Sequence, residues 1–232
     1  MNTALYGAPG ADVCGAGMLA AKRPVLIVFD LDGTLTDSAH LGRILFKQVF
    51  LRMGFGEISD ALSDSFNGPS ADEVCRIMGI GPERRAEYDH LIDEIEVELV
   101  HTIGRVYPGV SEMLCALSQR AHLSILTNGS AAYCAACMEH YGFAPYIALS
   151  AGYAMGVTKA ARIGMWAREL GARRVIVVGD RSTDIDNARA AGAYAVGVTF
   201  GMGSREELAG ADVLCESAQQ VTQACLRVIE EI

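Results

Sequence analysis

Two carboxylates spaced by one residue, Asp30 and Asp32, follow the uninterrupted apolar run Val25-Leu26-Ile27-Val28-Phe29 and open the segment Asp30-Leu31-Asp32-Gly33-Thr34-Leu35-Thr36. A run without polar alternation is expected of a central parallel strand buried on both faces. Ligands of open α/β sheets gather at the carboxyl ends of such strands, and acids two residues apart in extended chain face the same side. Like charges so close repel unless a cation sits between them. Hard oxygen donors of this kind suit Mg²⁺, which keeps several waters and takes one or two carboxylates plus a substrate phosphate. The plain alternative is a turn in which Gly33 supplies a positive φ. Against it, a chance Asp-x-Asp-Gly-Thr in a chain of this length has odds on the order of one in a thousand.

Two further strand ends carry polar groups. Thr127-Asn128-Gly129-Ser130 follows Leu123-Ser124-Ile125-Leu126 and leads into a helical pattern. A hydroxyl, an amide and backbone N–H groups at a helix start make an anion cradle, although Ser130 alone would serve as an ordinary N-cap. Gly179-Asp180-Arg181-Ser182-Thr183-Asp184 follows Val175-Ile176-Val177-Val178. Asp180 stands at the strand terminus and Asp184 one helical turn later, so both can approach the cation that Asp30 and Asp32 require. Lys159 opens the helix that Thr158 caps and Gly171 ends. A first-turn lysine opposes the helix dipole and so calls for an anionic partner or solvent.

The elements that must position these groups alternate from residue 105 onward. Weaker strands are expected at Tyr146 to Leu149, Tyr194 to Val198 and Val213 to Cys215, with helical patterns between, the signature of a Rossmann-like doubly wound α/β sheet. Residues 38–104 break the rhythm with helices alone and read as an inserted all-helical domain. Leu41, Ile44, Leu45 and Val49 share one face. Ser70-Ala71-Asp72-Glu73 is a capping box that Gly79 can close, and Pro82 starts a long helix with Tyr88, Leu91, Ile92, Ile95 and Leu99 on one stripe. The domains expected are therefore a loosely ordered arm over 1–22, a catalytic core of 23–37 and 105–232, and the insert.

Composition narrows the function classes. The 232 residues are 51% hydrophobic and 20% charged, enough for a substantial core. The net charge of -9 argues against nucleic acid as a partner. The insert, with 6 basic and 12 acidic residues, holds -6 of it, which by default is a solvated face. No apolar run at the start of the chain nears the roughly 20 residues that cross a bilayer. Seven cysteines, odd in number and scattered, do not resemble a secreted disulfide framework, so a reducing cytoplasmic compartment is expected.

In order and spacing, Phe29-Asp30-Leu31-Asp32-Gly33-Thr34-Leu35-Thr36-Asp37-Ser38, Leu126-Thr127-Asn128-Gly129, Lys159 and Gly179-Asp180-Arg181-Ser182-Thr183-Asp184 resemble the four motifs of the haloacid dehalogenase superfamily. The resemblance spans roughly residues 24–220 and is closest to the phosphoglycolate phosphatase-like branch with a small helical cap. It implies Mg²⁺ dependence and a phospho-aspartyl intermediate. Asp30 would be nucleophile and metal ligand, and Asp32 general acid/base and metal ligand through its backbone carbonyl. Thr127, Asn128 and Lys159 would hold phosphate, while Asp180 would bind metal with Asp184 supporting it directly or through water. The chain departs from many relatives in having Ala160-Ala161 where a proline often follows the lysine. Phe66-Asn67-Gly68-Pro69-Ser70 resembles the family's Gly-rich substrate loop without its usual second proline.

The expected activity is hydrolysis of a small soluble phosphate monoester, with neither membrane nor nucleic acid as partner. A sugar-phosphate mutase resembling β-phosphoglucomutase shares the two acids, and a catalytically silent binding protein would keep the fold. A dehalogenase needs neither cation nor a second acid, so Asp32 argues against it. Cys134-Ala135-Ala136-Cys137 has no second pair at zinc spacing and is read as helix packing. His40 sits near the first motif, and Arg43, Lys47 and Arg76 are the basic side chains of the insert that could meet the far end of a substrate.

Overall fold

The computed structural model describes residues 23–154 and 156–231. The arm expected over residues 1–22 lies outside the described residues. Six parallel strands form one sheet in the order β3-β2-β1-β4-β5-β6. They are β1 (Val25–Phe29), β2 (His122–Leu126), β3 (Ile147–Ala151), β4 (Arg174–Gly179), β5 (Tyr194–Val198) and β6 (Val213–Cys215). Every residue of β1 and β2 is buried, as the unbroken apolar run of β1 requires, and β2 buries His122 and Ser124 along with its apolar residues. Alternate side chains of β1 feed two cores. Val25, Ile27 and Phe29 pack with α5 (Val110–Ser118), α6 (Ala131–His140) and α9 (Ala218–Glu230) on one face. Leu26 and Val28 join α7 (Lys159–Glu169) and α8 (Ser182–Ala190) on the other.

Register is what gathers the site. Phe29 stands beside Ile125 of β2 and Val178 of β4. The chain therefore leaves all three central strands at one edge of the sheet, carrying Asp30, Thr127 and Asp180 with it. The edge strand β3 runs two residues past its expected end at Leu149. It is half-buried, with a register shift against β2 between Leu123 and Ser124, which weakens its pattern in the sequence.

Between β1 and α5 the chain is helical: α1 (Ala39–Arg52), α2 (Asp60–Asp64), α3 (Ala71–Met78) and α4 (Pro82–Ile103). Ser70 caps α3 by accepting from the Glu73 N–H, and left-handed Gly79 ends it. Pro82 occupies the first turn of α4. The five-residue α2, capped by Ser59, has no counterpart among the expected helices, being too short to show a period. These helices enclose a core of their own in which Phe46, Phe50, Phe66 and Tyr88 meet ring to ring. Two crossing segments join this layer to the sheet, held by the Asp37 N–H on the Arg105 carbonyl (3.0 Å) and the Tyr107 N–H on the Leu35 carbonyl (3.1 Å).

Phe50 is fully buried at the centre of the aromatic cluster. Phe50→Ala is expected to cost about 3–5 kcal/mol of unfolding free energy, read from the shift of the urea midpoint at constant slope.

Candidate active site

Asp30, Asp180 and Asp184 offer carboxylate oxygens that all lie within 4.8 Å of one another. Each arrives differently: Asp30 caps β1, Asp180 caps β4, and Asp184 projects from the first turn of α8. Gly33 makes the convergence possible. Its φ of +79° belongs to the left-handed region, and a Cβ there would overlap the Asp180 carboxylate. The Asp180 Oδ2 accepts the Met202 N–H at 2.7 Å, and Asp184 Oδ2 accepts the Arg181 N–H at 3.2 Å. Both carboxylates are thereby aimed before any ligand arrives.

Lys159 supplies the compensating charge. Its Nζ donates to Asp30 Oδ1 at 2.6 Å and to Asp184 Oδ1 at 3.1 Å, which gives the first-turn lysine the anionic partners its position demands. Burial works against its ammonium, but Asp30 and Asp184 outweigh burial and raise its pKa. Asp30, 9% exposed, is driven well above the usual carboxylate range by burial, against the pull of Lys159 and with Asp184, Asp32 and Asp180 adding to the rise. Burial raises Asp180 to about 6, against the Met202 N–H. Clustered hard oxygens whose ionisation is this costly fit a divalent cation such as Mg²⁺.

The carboxylate of Asp32 turns to a different set of partners. Its Oδ2 accepts from the Thr127 hydroxyl at 3.1 Å, and its Oδ1 accepts from the Tyr133 hydroxyl at 2.5 Å. Thr127 also accepts the Gly129 N–H, while Ser130 caps α6 by accepting the Tyr133 N–H. Asn128 is exposed and lines the cavity. Six of the seven residues expected from the sequence line one space of about 480 Å³ between the sheet and the helical layer, and the seventh, Asp180, stands against Asp30 and Asp184 at its floor.

Other expectations resolve differently. His40 does not reach the cavity; its Nε2 lies 3.1 Å from the Ile103 carbonyl, where the two crossing segments meet. Arg43 and Lys47 are paired with Asp60 and Asp64, and Arg76 with Glu73, all on exposed surface. Cys134 and Cys137 are buried in the packing of α6. Phe66, Asn67, Gly68 and Pro69 do line the cavity.

Sequence reasoning gave no role to several residues of the cavity wall, among them Tyr133, Arg181, Arg85, Asp89, Asp93 and Glu96. Arg181 ties the two layers together. It bonds Glu207 through Nε at 2.9 Å and reaches the Asn67 carbonyl through Nη1 at 3.1 Å. A Cβ on Gly68, whose φ is +111°, would come within 2.8 Å of that Nη1. The only prior signal for Arg181 was its place beside Asp180, and nothing local marked the others.

Residues 27–198 match the sequence profile of the haloacid dehalogenase-like hydrolases. The phosphoglycolate phosphatase of Vibrio cholerae is 30% identical over 202 residues, covering 81% of this chain and 89% of that protein. The phosphoglycolate phosphatase of Vibrio vulnificus is 28% identical over 218 residues, covering 87% and 96%. Among solved structures, a predicted phosphatase from Clostridium acetobutylicum superposes with a TM-score of 0.75 at 26% identity, covering 87% of this chain and 98% of its own.

The elevated Asp180 carboxyl has a measurable consequence. Native chain keeps this proton to about pH 6 whereas an unfolded aspartate releases it near 4, so native chain binds more protons in between and stability falls as pH rises through that window. In buffer freed of divalent ions, Asp180→Asn is therefore expected to gain about 1–3 kcal/mol on the wild type between pH 4 and pH 7. Urea melts at both pH values check this, and an advantage that does not widen contradicts it.

Proposed function

This chain belongs to the haloacid dehalogenase-like hydrolases and is a phosphatase of that family, and we propose that it is a magnesium-dependent phosphomonoesterase working through an aspartyl phosphate on Asp30. The observation that carries the reading is the separation of two carboxylates two residues apart. Asp30 lies with Lys159 and the acidic cluster, while Asp32 is held apart by Thr127 and Tyr133. Neighbouring acids kept in distinct surroundings can take distinct roles.

In this account Asp30, Asp180 and the Asp32 backbone carbonyl hold the cation, with Asp184 ligating it directly or through water. When bound, Mg²⁺ supplies positive charge that offsets the repulsion between a phosphoryl group and a carboxylate nucleophile. Lys159 adds to that charge, and Thr127 and Asn128 orient the phosphoryl oxygens. Asp30 attacks phosphorus as Asp32 gives its proton to the departing ester oxygen. Asp32, now ionised, takes a proton from the water that attacks the aspartyl phosphate, and inorganic phosphate leaves. Residues 38–104 act as a cap over a core of 23–37 and 105–232, and closure excludes bulk water during transfer. The name carried by the Vibrio relatives, phosphoglycolate phosphatase, supports a small ester as substrate.

Phosphate release from p-nitrophenyl phosphate tests the assignment. Activity is expected to require Mg²⁺ and to vanish with EDTA. Asp30→Asn is expected to lose about 10³-fold or more in kcat with an unchanged circular dichroism spectrum, and Asp32→Asn to lose about 10²–10⁴-fold. Near-normal turnover by the Asp30 variant contradicts the nucleophile. A requirement for a sugar bisphosphate with negligible phosphate release marks a mutase instead.

A further inference from the structure

The leaving group of the ester must occupy the part of the cavity beyond the phosphate site, and its wall is unusual in charge. Along α4, Arg85, Asp89, Asp93 and Glu96 fall on one face at helical spacing and all line the cavity. Arg85 is consumed by Asp72 and by Asp89, to which its Nε donates at 2.8 Å. The other basic side chains of the wall are engaged too: Lys159 by Asp30 and Asp184, and Arg181 by Glu207. Among the described residues, Asp93 and Glu96 are left without a basic partner. Glu96 Oε2 has no solvent contact and no hydrogen-bond donor. Around them the wall is apolar, with Leu45, Phe46, Phe66, Tyr88 and Ile92.

From this arrangement we infer that the cap selects esters whose leaving group offers hydrogen-bond donors and bears no negative charge, with Glu96 and Asp93 as the specificity-determining acceptors. The inference rests on the phosphomonoesterase reading and narrows its substrate class. It sets the chain apart from an enzyme of phosphoglycolate, whose leaving group, glycolate, carries a carboxylate. Such a group finds no unpaired cation in this wall, and like charges brought together in a desolvated site cost several kcal/mol. Glu96 itself reports the local potential: burial first, then the charges of Asp32 and Asp93, push its carboxyl well above the usual range. A substrate carboxylate placed there meets the same penalty, whereas a hydroxyl can pair with the Glu96 carboxyl in either protonation form and an ammonium meets the negative field of Asp93 and Asp32 with opposite charge.

Three esters of nearly equal size separate the cases: 2-phosphoglycolate, ethylene glycol monophosphate and O-phosphoethanolamine, ending in carboxylate, hydroxyl and ammonium. With Mg²⁺ present, kcat/KM for the hydroxyl or the ammonium ester is expected to exceed that for phosphoglycolate by about tenfold or more. Asp93→Lys, at a partly exposed position, is expected to shift that ratio toward phosphoglycolate by about tenfold, with an unchanged circular dichroism spectrum showing that the fold is kept. Glu96→Leu, which removes the acceptor at similar size, is expected to raise KM for the hydroxyl ester more than for p-nitrophenyl phosphate. Wild-type preference for phosphoglycolate overturns the inference and leaves the phosphatase assignment standing. So does turnover of p-nitrophenyl phosphate with none of the three esters accepted. Failure to release phosphate from any of the four overturns both.

Discussion

Mutual repulsion among buried carboxylates is the constraint from which the rest of the molecule follows. Asp30, Asp180 and Asp184 crowd within 4.8 Å with Lys159 as their one ammonium partner. Such a cluster opposes folding, since burial drives Asp30 and Asp180 toward their neutral forms. It persists because the sheet over-determines it. The strands that deliver Asp30 and Asp180 are paired in register, with Ile27, Val28 and Phe29 beside Ile176, Val177 and Val178, all buried, and neither carboxylate can retreat without disturbing that core. Local hydrogen bonds from Met202 and Arg181 then fix the carboxylate orientations.

The helical layer answers a second need. In the proposed reaction the sheet alone would give phosphate its ligands but little selectivity, because the distinguishing part of an ester lies away from phosphorus. The insert lines the cavity with Leu45, Phe46, Phe66, Tyr88 and Ile92, and among the described residues Asp93 and Glu96 stand on that wall without a basic partner. Its attachment runs partly through the core, because α4 packs against α6 and sends Val97 and Val100 into the cluster beneath the sheet. Two crossing segments, the Arg181 bond to the Asn67 carbonyl and the Tyr153 hydroxyl on Asp72 at 3.1 Å join it to the core around the cavity. The helices also hold an aromatic core of their own.

Much of this was readable in the residues themselves. The run Val25 to Phe29 and the acids after it announce a buried strand with a charged end, because both statements are local. Lys159 at a helix start could be recognised as needing an anion without knowing which one. The insert showed itself as helices where a strand was due. What escaped was whatever depends on how distant segments dock. Tyr133 sits in a stretch read for its cysteines, and its bond to Asp32 spans 101 residues. Arg181 meets Asn67 across 114. Glu96 is one of twelve acids in the insert, and only the packing of α4 against α6 decides that it faces inward while Glu94 pairs with Arg52 at the surface. The edge strand β3 blurred because half-buried residues leave a weak pattern.

The proposed cation is the point on which the chemistry turns, and anomalous diffraction from crystals grown with Mn²⁺ in place of Mg²⁺, together with a beryllofluoride phosphate mimic, tests for it directly. The expected map has one strong peak among Asp30, Asp180 and the Asp32 carbonyl, about 2.1 Å from its oxygen ligands, with the mimic attached to Asp30. A peak elsewhere, or an Asp30 that stays bound to Lys159 while the mimic lies apart from it, contradicts the account.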